Sequence, residues 1–353
     1  MFGLPRTIRR RGVSLATTAG LHRMGRALNR SRLLIVAYHG VVDGAVPSGC
    51  PDWHHVSVTD FTRQLQYLKY HYDILPIDEA LARPQQRVRR PIASITFDDG
   101  YRNNRSVALP VLERLRVPAT IYLTTGLLGT EKVLWTVAIA SAFRQTSTKR
   151  IDLAALGLDV QDLQQFEQRI VVAGRTISIL KSVPPRRRDA MLSSLYAQLG
   201  RPEPHSLKPF RMMDWTDVTA MEATSLISFG AHTVHHEILS QLPDEDLRYE
   251  IVESIAEVRA KTSTRTRTFA YPNGSPADYD ERAKRLLEAS GVSAAVSTIG
   301  GLNSPRTDPF ALRRVTVGRD MTFAQFRLAT SGVTHGLGRA VARIPGMRAR
   351  HTT

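Results

Sequence analysis

The chain has 353 residues, 42% of them hydrophobic and 23% charged, enough for a sizeable core in either one barrel with an insertion or two domains. Its 48 Lys and Arg exceed 32 Asp and Glu by +16, which favours an anionic partner without choosing among nucleic acid, acidic glycan and phospholipid. Cys50 is the only cysteine, so an intramolecular disulfide and a multi-cysteine zinc site are excluded. That agrees with a reducing compartment, and nothing near Cys50 marks it as reactive.

Residues 1–30 form a basic N-terminal segment with seven arginines and no acid. Arg6, Arg9, Arg10 and Arg11 precede a weakly apolar stretch broken by Ser14, Thr17 and Thr18, which reads as neither export signal nor membrane span. The spacing of Leu21, Met24 and Leu28 predicts a shared helical face. Residues 321–353 mirror this with Arg339, Arg343, Arg348 and Arg350 beside Leu337, Val341 and Ile344. Two basic amphipathic ends suit an anionic membrane surface as well as they suit solvated tails or a helix packed on the domain. Nucleic acid is not expected, because interleaved aromatics and a reading motif are missing. The resulting expectation is a cytoplasmic protein, peripheral to the inner face of the membrane.

Between the ends, Leu33–Tyr38, Ala93–Phe97, Thr120–Thr124, Ile227–Ala231, Thr268–Tyr271, Ala294–Ser297 and Arg314–Val317 read as buried strands. Leu33–Tyr38 is too short to cross a bilayer. Helical stripes fall between them: Phe61, Leu65 and Leu68; Leu247, Ile251, Ile255 and Val258; Ala283, Leu286 and Leu287, closed by Gly291. Strands alternating with crossover helices imply a parallel sheet, and about seven such units imply a barrel. Residues 131–212 break the rhythm. Trp135–Phe143, Gln161–Gln168 and Asp189–Leu199 look helical, and Pro184 to Arg188 looks like loop. The segment is too long for an ordinary connection, so it reads as a mostly helical insertion over one end of a barrel made from 31–130 and 213–320.

Four motifs could carry chemistry. Ser94 to Gly100 runs an apolar strand into Asp98 and Asp99, where a turn at Gly100 can aim both carboxylates into one pocket; helix capping is their plainer use. His232 and His236 are four apart, so on a helical turn both imidazoles can share one metal, although structural histidines also occur at this spacing. His235 between them should point elsewhere. With one carboxylate added, two histidines leave coordination positions open for water and substrate. Tyr271-Pro272-Asn273-Gly274 ends a strand in a turn that can present a backbone N–H to an oxyanion. Tyr38-His39-Gly40-Val41 delivers a histidine to a strand end, where it can act as a general acid.

Together and in this order the motifs resemble the polysaccharide deacetylase family, the NodB-homology domain of carbohydrate esterase family 4. The resemblance runs from about Leu33 to Val317, excluding the insertion. It implies an α/β fold, a distorted (β/α)7 TIM-like barrel, and a divalent metal ion, usually Zn2+. Asp98 matches the family's catalytic base, and Asp99, His232 and His236 its metal ligands. Tyr271 matches the residue whose backbone amide helps hold the oxyanion. The implied substrate is an N-acetylated glycan or glycolipid, and the products are acetate and a free amino sugar. A hydrolase of small non-sugar amides and a degenerate glycan binder are the alternatives; Asp98 beside the ligands argues against the binder. Two departures stand out. The usual motif arginine is Ala270 here, leaving Arg267, Arg313 and Arg314 as candidates to brace Asp98. The usual late Leu-x-His is missing too, and Tyr38-His39-Gly40-Val41 looks like the arrangement in the family branch that takes its acid, here His39, from the first strand.

Overall fold

The computed structural model describes residue 17 and residues 19–44, 54–83, 89–202, 204–263 and 265–334. Cys50, the arginines before residue 17 and the 335–353 tail lie outside the described residues.

Seven strands form a closed parallel ring: β1 (Leu34–Tyr38), β2 (Ile92–Phe97), β3 (Ala119–Leu123), β4 (Ile227–Ala231), β5 (Arg265–Ala270), β6 (Ala294–Gly300) and β7 (Leu312–Thr316). Each follows its predecessor around the ring, and β7 closes it by pairing Val315 with Val36 and Thr316 with Ala37 of β1. A two-residue strand, Asp73–Ile74, pairs in parallel beside the start of β2. Strands buried on both faces are why they read as continuous apolar runs rather than alternating ones. On β1, Leu34, Val36 and Tyr38 pack with Phe61 and Leu65 of the helical layer. Leu33 and Ile35 belong to a separate cluster with Tyr122, Ala270 and Val296, closed by Ile77 and Ala80.

The helices are α1 (Leu21–Leu28), α2 (Val58–His71), α3 (Ile77–Ala82), α4 (Leu109–Leu115), α5 (Trp135–Gln145), α6 (Phe166–Leu180), α7 (Pro185–Leu199), α8 (Trp215–Glu222), α9 (Asp244–Lys261), α10 (Glu281–Ala289) and α11 (Phe323–Thr330). Among the described residues no helix is long and apolar enough to cross a membrane. Their ends follow local chemistry. Ser57 caps α2 by accepting from the Asp60 N–H, and Gly291, at φ 74°, follows α10 in a conformation glycine takes without strain.

Between β3 and β4 the chain builds α5, α6 and α7 around an apolar cluster of its own that includes Phe143, Val172 and Leu195. Two details differ from the sequence reading. Gln161–Asp162 pairs antiparallel with Arg150–Ile151, and the helix starts only at Phe166. The segment Pro185 to Arg188 is the first turn of α7 rather than loop, because proline at the first helical position has its φ already set and needs no N–H partner.

α1 also departs from expectation. It buries His22 and Gly25 against α11 and leaves Met24 and Leu28 exposed, so the predicted apolar stripe faces outward. Closeness decides this: a Cβ at Gly25 would stand 2.4 Å from Val333 Cγ2.

Candidate metal and catalytic centre

The C-terminal ends of the strands converge on a cavity of about 690 Å³, and every motif singled out in the sequence opens into it. After β2, Asp98 N–H still donates to the Tyr38 carbonyl, in register with the barrel. The chain then turns sharply: Asp99 has φ 72°, Gly100 has φ 85°, and Gly100 N–H reaches back to the Asp98 carbonyl at 2.9 Å. That turn aims two adjacent carboxylates into one space. A side chain at 100 would meet Leu123 Cδ2 at 2.9 Å as well as adopting a strained φ, so this position takes glycine.

His232 follows β4, and the next turn bends through Thr233 at φ 66° and His236 at φ 63°. The Thr233 hydroxyl accepts the His236 N–H at 2.9 Å. Glu250 of α9 fixes the turn from outside, accepting the Val234 and His235 N–H groups at 2.9 and 2.8 Å and pairing with His235 Nδ1 at 2.7 Å. His235 therefore points away from the cavity. Glu250 was not singled out in the sequence, although a carboxylate inside the apolar stripe Leu247, Ile251, Ile255 was the signal of a buried role.

The donor set suits a divalent ion. Asp99 Oδ1 is buried and has no hydrogen-bond partner, while Nε2 of His232 and of His236 lie 3.4 and 3.3 Å from it. All three candidate ligand atoms fall within 4.8 Å of one another. A carbonyl can only accept, so His232 Nδ1, 2.7 Å from the Ala270 oxygen, carries the proton and leaves the Nε2 lone pair toward Asp99.

Asp98 is held differently. Arg314 of β7, fully buried, donates to both its oxygens at 2.7 and 2.6 Å and is itself fixed by the Ser297 carbonyl and the Thr96 hydroxyl. Of the three arginines open as braces, the structure places Arg314 on Asp98. Arg267 sits near Asp78, and Arg313 reaches the Gly300 carbonyl. Burial pushes the Asp98 carboxyl up, but Arg314, with His232 and His39, pulls it below the usual carboxylate range. Burial raises Asp99 as well, and the His232 and His236 imidazoles beside its Oδ1 hold it well below that range. Arg314 on one carboxylate and the imidazoles beside the other thus offset the cost of burying two neighbouring acids.

His39 Nε2 lies 3.9 Å from Asp98 Oδ2, too far for a hydrogen bond and close enough for an ion pair when protonated. Its ring stacks on His54 at 4.1 Å, and its carbonyl accepts from Asn104 at 2.6 Å. Tyr271 reaches the same cavity. Its N–H donates to the Val296 carbonyl at 3.2 Å, so the oxyanion role implied by the resemblance requires that hydrogen to be shared. The Tyr271 ring stacks on Tyr279 at 3.9 Å, and its hydroxyl donates to the Phe310 carbonyl.

Trp135, Ile177, Lys181 and Arg188 bring the inserted helices into the cavity wall. Arg188 binds Glu237 through two hydrogen bonds of 2.7 and 2.5 Å, and Lys181 Nζ donates to Asn273 Oδ1 at 2.6 Å. These contacts were not legible in the sequence.

A closed seven-strand parallel barrel ringed by helices is the architecture found in deacetylases of the NodB type. The polysaccharide deacetylase family profile matches residues 85–178 and 190–295, and the chain belongs to that family. Among solved structures it resembles the Streptococcus pyogenes deacetylase PplD in complex with acetate, 18% identical with a TM-score of 0.55, over 85% of this chain and 98% of that one. IcaB from Ammonifex degensii is 17% identical with a TM-score of 0.55, covering 85% and 97%. A de-N-acetylase from Aggregatibacter actinomycetemcomitans is 16% identical with a TM-score of 0.52, covering 84% and 99%. No curated protein matches by sequence.

Proposed function

We propose that the protein is a divalent-metal hydrolase that removes N-acetyl groups from an amino-sugar-containing polysaccharide, glycolipid or oligosaccharide precursor. The observation that carries this reading is Asp99 Oδ1, buried and unpartnered between two imidazoles, beside an Asp98 clamped in ionised form. Asp99, His232 and His236 would hold the ion, Zn2+ first by donor type. When bound, such an ion supplies Lewis-acid polarisation of the acetamide carbonyl and of the attacking water.

The chain's own groups do the rest. Arg314 occupies one side of the Asp98 carboxylate, and the lone pairs left facing the cavity accept a proton from water as its oxygen joins the acetyl carbon. Protonated His39 gives a proton to the amine nitrogen as the C–N bond breaks. Acetate and a free amine leave. The cavity is within the size range of small-ligand sites, with Trp135 offering an apolar face to a sugar ring. The residues 131–212 are proposed as an inserted unit that completes this wall.

Acetate release measured across N-acetylated glycans, lipid-linked sugars and small amides, with and without chelator, tests the reading. Asp99→Ala and His236→Ala should lose metal and activity together. Asp98→Asn should retain metal and lose turnover; a fully active Asp98→Asn protein would remove Asp98 from the role of base.

A further inference from the structure

The positive charge of the chain is concentrated at its ends. No acid occurs before Asp43 or after Asp320; eight arginines precede the first and five follow the second, leaving 35 of the 48 Lys and Arg to face all 32 acids. The fold brings the two ends together. α1 enters β1 at its N-terminal end and packs on α11, with Asn29 donating to the Ser331 carbonyl at 3.0 Å. α1 and the C-terminal end of α11 therefore meet at the base of the barrel, opposite the cavity.

Because α1 docks through His22 and Gly25, its apolar side chains face solvent: Met24 is 57% and Leu28 75% exposed. Arg23, Arg30 and Arg32 are exposed around them. Tyr70, 79% exposed, stands at the end of α2, where the chain turns toward the start of β2. Among the described residues, Arg23, Arg26, Arg30, Arg32 and Arg327 form no ion pair with a carboxylate. Residues 1–16 and 335–353 contain no Asp or Glu.

We propose that this face docks the protein on an anionic phospholipid bilayer, Met24 and Leu28 entering the headgroup boundary while the arginines meet lipid phosphates. Cations that alternate with exposed apolar side chains on a helix lying against the barrel fit a lipid interface. A nucleic acid would engage the arginines alone and leave Met24, Leu28 and Tyr70 in water. The insertion carries a second apolar patch, Val160, Phe166, Ile170 and Val171, which serves as the comparison.

The test uses the full chain and flotation with vesicles, a readout independent of turnover. Binding is expected to vesicles containing phosphatidylglycerol and not to phosphatidylcholine alone, with release by salt. Arg23→Ser/Arg30→Ser should lower the partition coefficient about thirtyfold. Met24→Ser/Leu28→Ser should lower it about tenfold or more. Both proteins should keep wild-type circular dichroism, and Phe166→Ser/Ile170→Ser should bind as wild type. Equal binding to neutral vesicles, loss of binding only in the insertion variant, or displacement of vesicles by duplex DNA at equal phosphate would overturn the proposal.

Discussion

Arg314 is the residue on which the arrangement of the site depends most. It has no exposed surface, and its guanidinium is committed to Asp98, Ser297 and Thr96. Arg314→Ala leaves a buried carboxylate without its partner, a change that costs about 3–5 kcal/mol and is measured by urea denaturation. Arg314→Lys keeps a charge but loses the two-pronged grip. It should unfold at a urea concentration nearer wild type while kcat falls by about tenfold or more, KM changing little. An Arg314→Lys protein with normal kcat would make the clamp purely structural. Asp99, His232 and His236 were legible because they follow the ends of two apolar strands, Asp99 after β2 and both histidines after β4, a signal local to a few residues. Arg314 was left among three arginines because its partner lies across the barrel closure, 216 positions away in sequence. Spacing carries no trace of such a contact. The same holds for Glu250, whose donors come from a loop 15 and 16 residues back.

Periodicity predicted most of the elements and could not orient all of them. α1 was foreseen as a helix, but an amphipathic pattern does not say which neighbour will come closest, and Gly25 lets α11 take the narrow polar side. Its contact with α2 has a pH signature. Burial, then Arg26, His22, Arg327 and Arg90, pushes His71 down to about 4, and the aromatic rings of Tyr67 and Tyr70 face it as well. The unfolded chain takes up this proton near 6.5 and the folded one only near 4. Stability should therefore decline as pH falls from about 6.5 toward 4. His71→Gln should flatten that slope in thermal melts, and an unchanged slope would assign it to other groups. In the insertion, the Arg188–Glu237 pair ties α7 to the loop after His236. Arg188→Met keeps much of the volume and releases the tie. It should raise KM several-fold while kcat stays within about twofold; an unchanged KM would separate the insertion from substrate binding.

At the scale of the whole molecule, alternating strands and helices were enough to foresee a closed parallel barrel, because a ring of this kind needs every strand buried on both faces. Closure itself is non-local: β1 lies between β2 and β7, so the first and last strands complete one wall. The family profile begins at residue 85 and ends at 295, leaving both strands outside the match. A fragment trimmed to 85–295 would expose two strand edges, and it should show no cooperative unfolding transition by circular dichroism. Closure also separates the two halves of the chemistry in time. Asp98 emerges early during synthesis, whereas Arg314 arrives near the end of the chain, so all three proposed metal ligands have been made while the proposed base still lacks its clamp. A prematurely stopped chain that lacks β7 therefore holds every proposed ligand and the proposed base, but neither the closed barrel nor the clamp that would make them a site.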